Sequence, residues 1–421
     1  MDALIFGAPG IVWLAAGLAL YMAWTIGAND VANAMGTSVG SGALTIFRAV
    51  VVAGILEFCG AFLAGGHVTD TVRKGILVAD FAAGHEPLIV YGMLASLMSA
   101  GTLLLAATRF GLPVSTTHAI VGAIVGFGAV GLGVDSVVWG KVAQIVVTWV
   151  TSPLIGGVLA FLIFNLTRYL ILDREAPMAQ ARRIGPIFFF VVFFVISLVT
   201  VFKGLKQLRL HLDFSEAAGV AALVGVLGAL IGRFFLRRVS EQPDPTGSDR
   251  FRQVEKVFVV LQILTACSVA FAHGSNDVAN AIGPLAAVIQ LSRGAAYAAQ
   301  ASVAPWMLVV GGVGIVIGLA TWGYRVMETV GRKITELTPS RGFSAELAAA
   351  LTIVLASRLG IPVSTTHILV GSVFGVGLAR GIGALDLQVV GKILVSWIAT
   401  LPLAAGLSIF FFYFFKGLLS P

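Results

Sequence analysis

The sequence predicts an all-α polytopic membrane protein built from inverted-topology repeats with re-entrant hairpins, roughly 10–12 membrane segments in all. Three observations carry this. The 421 residues are 58% hydrophobic and only 11% charged, with a mean hydropathy of +0.98; a soluble domain usually carries about a quarter charged residues. Apolar runs long enough to cross a bilayer recur at 11–26, 44–66, 88–107, 141–167, 186–202, 217–236, 257–272, 303–324 and 388–415. The short alternating strands of an outer-membrane barrel are absent from the pattern. Finally, three phrases are written twice in the same order.

IGANDVANAMG at 26–36 matches HGSNDVANAIG at 273–283. GLPVSTTH at 111–118 matches GIPVSTTH at 360–367, displaced by 249 positions (367 − 118). WGKVAQIVVTWVTSPLIGG at 139–157 resembles VGKILVSWIATLPLAAG at 390–406. Residues 1–167 therefore read as a first repeat and 257–421 as a second. Between them, 168–256 is a two-helix insert with basic loops.

Each repeat reads as a span carrying NDVAN, a second span, a hairpin carrying PVSTTH and a long Pro-interrupted final span. A hairpin that dips in and returns gives three crossings per repeat, and the insert adds two. The second repeat then starts from the opposite face, so the repeats are inverted, and one half can rock against the other as in secondary transporters. The basic residues agree. Arg168, Arg174, Arg182 and Arg183, then Arg237, Arg238, Arg250, Arg252 and Lys256, then Arg325, Arg332, Lys333 and Arg341 all fall on one face, which is cytoplasmic. The segment 67–87 offsets Arg73 and Lys74 with Asp70, Asp80 and Glu86 and falls outside. Lys203, Lys206 and Arg209 also fall outside, against the rule. Both termini are expected outside a cytoplasmic membrane.

The net charge of +7 is confined to these connections and does not imply nucleic acid. Cys59 and Cys267 lie in apolar spans, so no disulfide is expected. No basic stretch precedes the first apolar run, and no cleaved leader is expected. Without a Walker lysine or any catalytic constellation, neither an enzyme nor a cofactor is implied.

The duplicated phrases suit ion binding. Pro113 and Pro362 fit the first turn of a helix, where a missing N–H is tolerated. Ser115, Thr116 and Thr117, with Ser364, Thr365 and Thr366, then offer hydroxyls beside free N–H groups at helix ends that carry about half a positive charge. Two such ends approaching from opposite faces would cage a tetrahedral oxyanion. The plainer role for these hydroxyls is helix capping. In NDVAN, Asn29, Asp30 and Asn33, with Asn276, Asp277 and Asn280, share a helical face and offer hard oxygens to a small cation. Flanking Gly27, Gly36, Gly274 and Gly283 would let the helix open and expose carbonyls.

Glu57 and Glu346, isolated in apolar stretches, are further ion-site candidates; Gln144, Thr148 and Ser396 on the final spans are weaker ones. Arg109 and Arg358 are expected to snorkel towards water. His118 and His367 lack companion metal ligands and read as hydrogen-bonded structural residues.

GANDVANA at 27–34, GSNDVANA at 274–281 and the paired PVSTTH motifs resemble the PiT family of inorganic phosphate transporters over nearly the whole chain. The resemblance implies secondary phosphate uptake, driven by Na+ in some members and H+ in others. It also implies that Asp30 and Asp277 are essential, that the Ser/Thr cluster holds phosphate, and that Glu57 and Glu346 are functionally sensitive. The loop 237–256 is short beside that of animal members.

The expectation is phosphate import by Na+ symport with alternating access. Amides coordinate Na+ but do not relay protons, and four of them accompany the two carboxylates. Symport of phosphate or metal-phosphate with H+, and transport of sulfate or another oxyanion, are the alternatives. The expected partners are phosphate, Na+ (or H+) and the lipid bilayer, with a homodimer left open.

Overall fold

A computed structural model of the chain describes residues 4–5, 8–67, 76–78, 84–204, 214–238, 249–294, 303–358 and 363–420. Arg73, Lys74, Asp70, Asp80, Lys206, Arg209, Pro362 and most of the central loop (239–248) lie outside them. Apart from a two-residue ribbon pairing Leu4–Ile5 with Ala8–Pro9, the described residues form helices and their connections.

The first repeat opens with α1 (Gly10–Ile26), a π-helical turn (Gly27–Val31) and α2 (Ala32–Gly40). It continues through α3 (Ile46–Ala64), α4 (Glu86–Arg109), α5 (Thr116–Gly131) and α6 (Trp139–Thr167). The insert is α7 (Pro177–Gly204) and α8 (Phe214–Arg238), which pack on each other. The second repeat runs α9 (Asp249–Ser292), α10 (Pro305–Trp322), the short α11 (Tyr324–Glu328), α12 (Pro339–Arg358), α13 (Thr365–Ala379) and α14 (Leu387–Leu419). Among the described residues nine helices are long and apolar enough to cross a membrane, and α5 and α13 are shorter apolar helices. This is a multi-pass membrane protein.

Two faces explain the apolar excess. Helix α4 is largely buried, whereas α6, α8 and α14 turn Val147, Val150, Leu154, Leu223, Leu227, Val395 and Ile398 outward. Such broad exposed apolar faces are stable against hydrocarbon, not against water.

Packing pairs the repeats reciprocally. Helix α6 covers the α12–α13 hairpin of the other half, and α14 covers α4–α5. Likewise α1 packs on α10, and α9 on α3. Each half therefore completes the other.

The motif glycines serve this packing. A Cβ on Gly27 would stand 1.8 Å from the Ile315 carbonyl oxygen, and one on Gly274 would stand 2.2 Å from that of Glu57. Helix crossing at backbone contact demands glycine there. Opening of the helix is confined to the first copy, where NDV lies in the π-turn; the second copy lies within the continuous α9.

Candidate functional site

The two PVSTT phrases end at two helix N-termini. Ser115 caps α5, its Oγ accepting from the His118 N–H (3.3 Å), and Ser364 caps α13 through the His367 N–H (3.2 Å). The serines thus do cap, as the plainer reading had it. Pro113 precedes the cap and lies outside the first turn. Its carbonyl accepts from Trp397 Nε1 at 2.9 Å.

The threonines face the carboxylates. Asp30 Oδ2 accepts from the Thr116 N–H (3.3 Å) and hydroxyl (2.5 Å), and its Oδ1 accepts from the Thr366 hydroxyl of the other repeat. Asn33 Nδ2 donates to Asp30 Oδ1 (3.3 Å) and to Thr366 Oγ1 (3.2 Å). In the opposite sense, Asn280 Nδ2 reaches Thr116 Oγ1 (3.3 Å) and Thr117 Oγ1 (3.4 Å), while the Thr365 hydroxyl reaches Asp277 Oδ2 (3.4 Å). The structure therefore brings both STT triplets and both NDVAN motifs to one buried locus, with hydrogen bonds that cross between repeats. Asn33 Oδ1 is buried there without a hydrogen-bond partner.

The outer asparagines behave differently. Asn29 ties the π-turn to the first hairpin. Its amide donates to Thr108 Oγ1 and the Leu112 carbonyl (both 3.0 Å), and its Oδ1 accepts from the Val114 N–H (3.1 Å). Asn276 donates to Asp277 Oδ1 at 2.8 Å.

Sequence reasoning missed His273. Its Nδ1 is 3.1 Å from Glu57 Oε2, and its Nε2 is 2.6 Å from Asp277 Oδ2. Glu57, His273 and Asp277 thus form a buried chain, and Asp30, His273 and Asp277 converge closely enough to hold a cation, with ligand atoms within 4.8 Å of one another. One signal was available. The duplicated motif aligns His273 with Ile26, and in three dimensions the paired crossings of Gly27 and Gly274 set Glu57 where the other copy has Ile315. The chain is polar in one copy only.

Glu346 occupies a second locus. Its Oε1 accepts from Thr37 Oγ1 (2.5 Å), Ser38 Oγ (2.9 Å) and Gln262 Nε2 (3.4 Å), and its Oε2 from Thr265 Oγ1 (2.5 Å). All five residues are buried. The position 249 residues earlier (346 − 249) is Leu97, so this site too lacks a counterpart.

Three candidates do not join either locus. Gln144 is exposed and accepts from Lys141 Nζ (3.1 Å). Thr148 and Ser396 donate to carbonyls of their own helices, Ile145 (2.6 Å) and Ile393 (2.7 Å). We expect Gln144→Ala to leave phosphate uptake within about twofold of wild type, because exposed substitutions away from a site shift little; a transport assay checks this.

The match to the model of the phosphate transporter family extends over residues 26–408 and so takes in every residue of both loci. The chain belongs to the phosphate transporter family. This transporter is 44% identical to inorganic phosphate transporter 2-1, chloroplastic, of Arabidopsis thaliana, over 95% of this chain and 71% of that one. A solved structure described as the sodium-dependent phosphate transporter superposes with a TM-score of 0.88 at 39% identity, covering 97% of this chain and 100% of that chain. The transporter is not an enzyme.

Proposed function

We propose that this transporter imports phosphate by Na+ symport, holding one phosphate between the two STT triplets. One observation carries the reading: Asp30 and Asp277 stand directly against the hydroxyls that would bind the anion. An oxyanion meeting one carboxylate at about 4 Å is repelled by about 4 kcal/mol even at an effective dielectric constant near 20. Cations must enter with it. Coupling is then a consequence of the donor set.

Asp30, Asn33, Asp277 and Asn280 are the Na+ ligands in this reading, with the unpartnered Asn33 Oδ1 directed to the ion. Asn29 and Asn276 position the motif. The oxygen-lined surroundings of Glu346 hold a further cation, and the sodium dependence named for the structural neighbour supports the choice of ion. The Glu57–His273–Asp277 chain favours a second reading, H+ coupling, because adjacent carboxylates and imidazole can pass protons. Equilibrium binding of phosphate to the purified chain separates the two. Affinity that rises with Na+ at constant pH, at one phosphate per chain, supports Na+. Affinity indifferent to Na+ and rising as pH falls supports H+.

The inverted relation of the repeats is part of the proposal, with alternating access through bodies that mix the two halves. It is supported by the reciprocal packing and the basic loops. Gly84 and Glu328 are exposed and precede the first and second hairpins. We expect Gly84→Cys to label from outside intact cells and Glu328→Cys only after permeabilisation. Labelling of both from one face would overturn the inversion.

A further inference from the structure

The two hairpin helices touch through their histidines. His118 and His367 are 1% and 0% exposed, and their rings meet edge to face with centroids 4.5 Å apart. Trp149 on α6 packs on His118 at 4.2 Å, and Trp397 on α14 stacks on His367 at 3.8 Å. The four rings form a continuous stack across the repeats. His118 Nδ1 is buried without a hydrogen-bond partner, so this ring is held largely by the faces of its neighbours.

We propose that the His118–His367 contact is the spacer that sets the separation of the two helix ends, and with it the size of tetrahedral anion the site accepts. The inference rests on the phosphate site proposed above. Each histidine closes its own cap, because its N–H is the donor to Ser115 or Ser364. Ring and cap are therefore one rigid turn. The distance between the two threonine sets is then fixed by two capping turns and one ring contact. The tryptophans keep the rings from swinging aside, and Trp397 is itself pinned to Pro113 at the first hairpin tip. Imidazole is the smallest of the aromatic side chains. It gives the closest ring-to-ring approach, and here it is used for its shape. His118 and His367 are positioning residues: they act through the caps and are not assigned contact with the anion.

A double-mutant cycle tests this on the purified full chain, with labelled phosphate and with arsenate, a slightly larger tetrahedral anion of like charge, as competitor. His118→Ala and His367→Ala should each weaken phosphate binding about tenfold and narrow the preference for phosphate over arsenate. Either change removes the shared ring contact, so the loss in the double variant should fall well short of the sum of the two single losses. Additive losses, or an unchanged phosphate-to-arsenate ratio in folded variants, would overturn the spacer. A wild-type chain that binds no phosphate would instead refute the underlying site. If the alanine variants fail to fold, His118→Asn and His367→Asn, whose shorter side chains also break the ring contact, complete the cycle with the same expectations.

Discussion

Asp30→Asn should reduce phosphate binding and uptake at least about a hundredfold, because one carboxylate joins both hairpins to the NDVAN motif. Its oxygens accept from Thr116 of the first repeat, from Thr366 of the second and from Asn33. An amide keeps one acceptor but turns an NH2 group towards donors. That leaves a buried N–H or hydroxyl unpaired, at about 1–3 kcal/mol for each lost bond. In the proposed symport the substitution also removes a negative charge from the cation site. Residual binding should therefore depend less steeply on Na+, a change that loss of packing alone would not produce. Asp135→Asn, on the surface, serves as the control and should be silent. Uptake by Asp30→Asn within about threefold of wild type would sink the assignment, since hydrogen bonds to a buried carboxylate are worth more than that.

The second large effect concerns the duplicated triplets. Ser115→Ala with Thr116→Val, and separately Ser364→Ala with Thr365→Val, should each weaken phosphate binding at least tenfold, roughly 1.4 kcal/mol. The hydroxyls of Thr116 and Thr365 face Asp30 and Asp277, and the serines order the two helix ends. Losing a cap costs about 1 kcal/mol, which leaves the fold intact. The effects should be comparable because neither copy offers enough donors for four oxygens. Calorimetric titration of both variants measures this directly. Loss in one with normal affinity in the other would mean that a single hairpin holds the anion.

Much of this was legible in the residues. Span positions followed from apolar runs, because hydrocarbon tolerates little else. That the two STT triplets build one site was foreshadowed by duplication of a locally unfavourable phrase, but that Asp30 faces Thr116 and Asp277 faces Thr365 was not. What was not legible depended on partners. Helical spacing placed Asn29 beside Asn33, but the π-turn delivers Asn29 to the hairpin at Leu112 and Val114. Gln144 looked central along its span, yet depth in a helix does not fix which face turns inward. Thr37, Ser38, Gln262 and Thr265 are unremarkable helix residues until three helices meet around Glu346. Likewise, an apolar stripe shows that a helix packs but not on what. The exchange of α6 and α14 between the halves therefore emerged only in three dimensions.

The two carboxylates beside the anion site are proposed to couple phosphate entry to a cation, and the proposed cation is Na+. Labelled phosphate uptake into proteoliposomes, with inward Na+ and H+ gradients imposed separately, tests it most directly. Accumulation above equilibrium under the Na+ gradient alone, lost in Asp30→Asn, is the predicted result. Accumulation that follows the pH gradient without Na+, or passive equilibration indifferent to both, would contradict it.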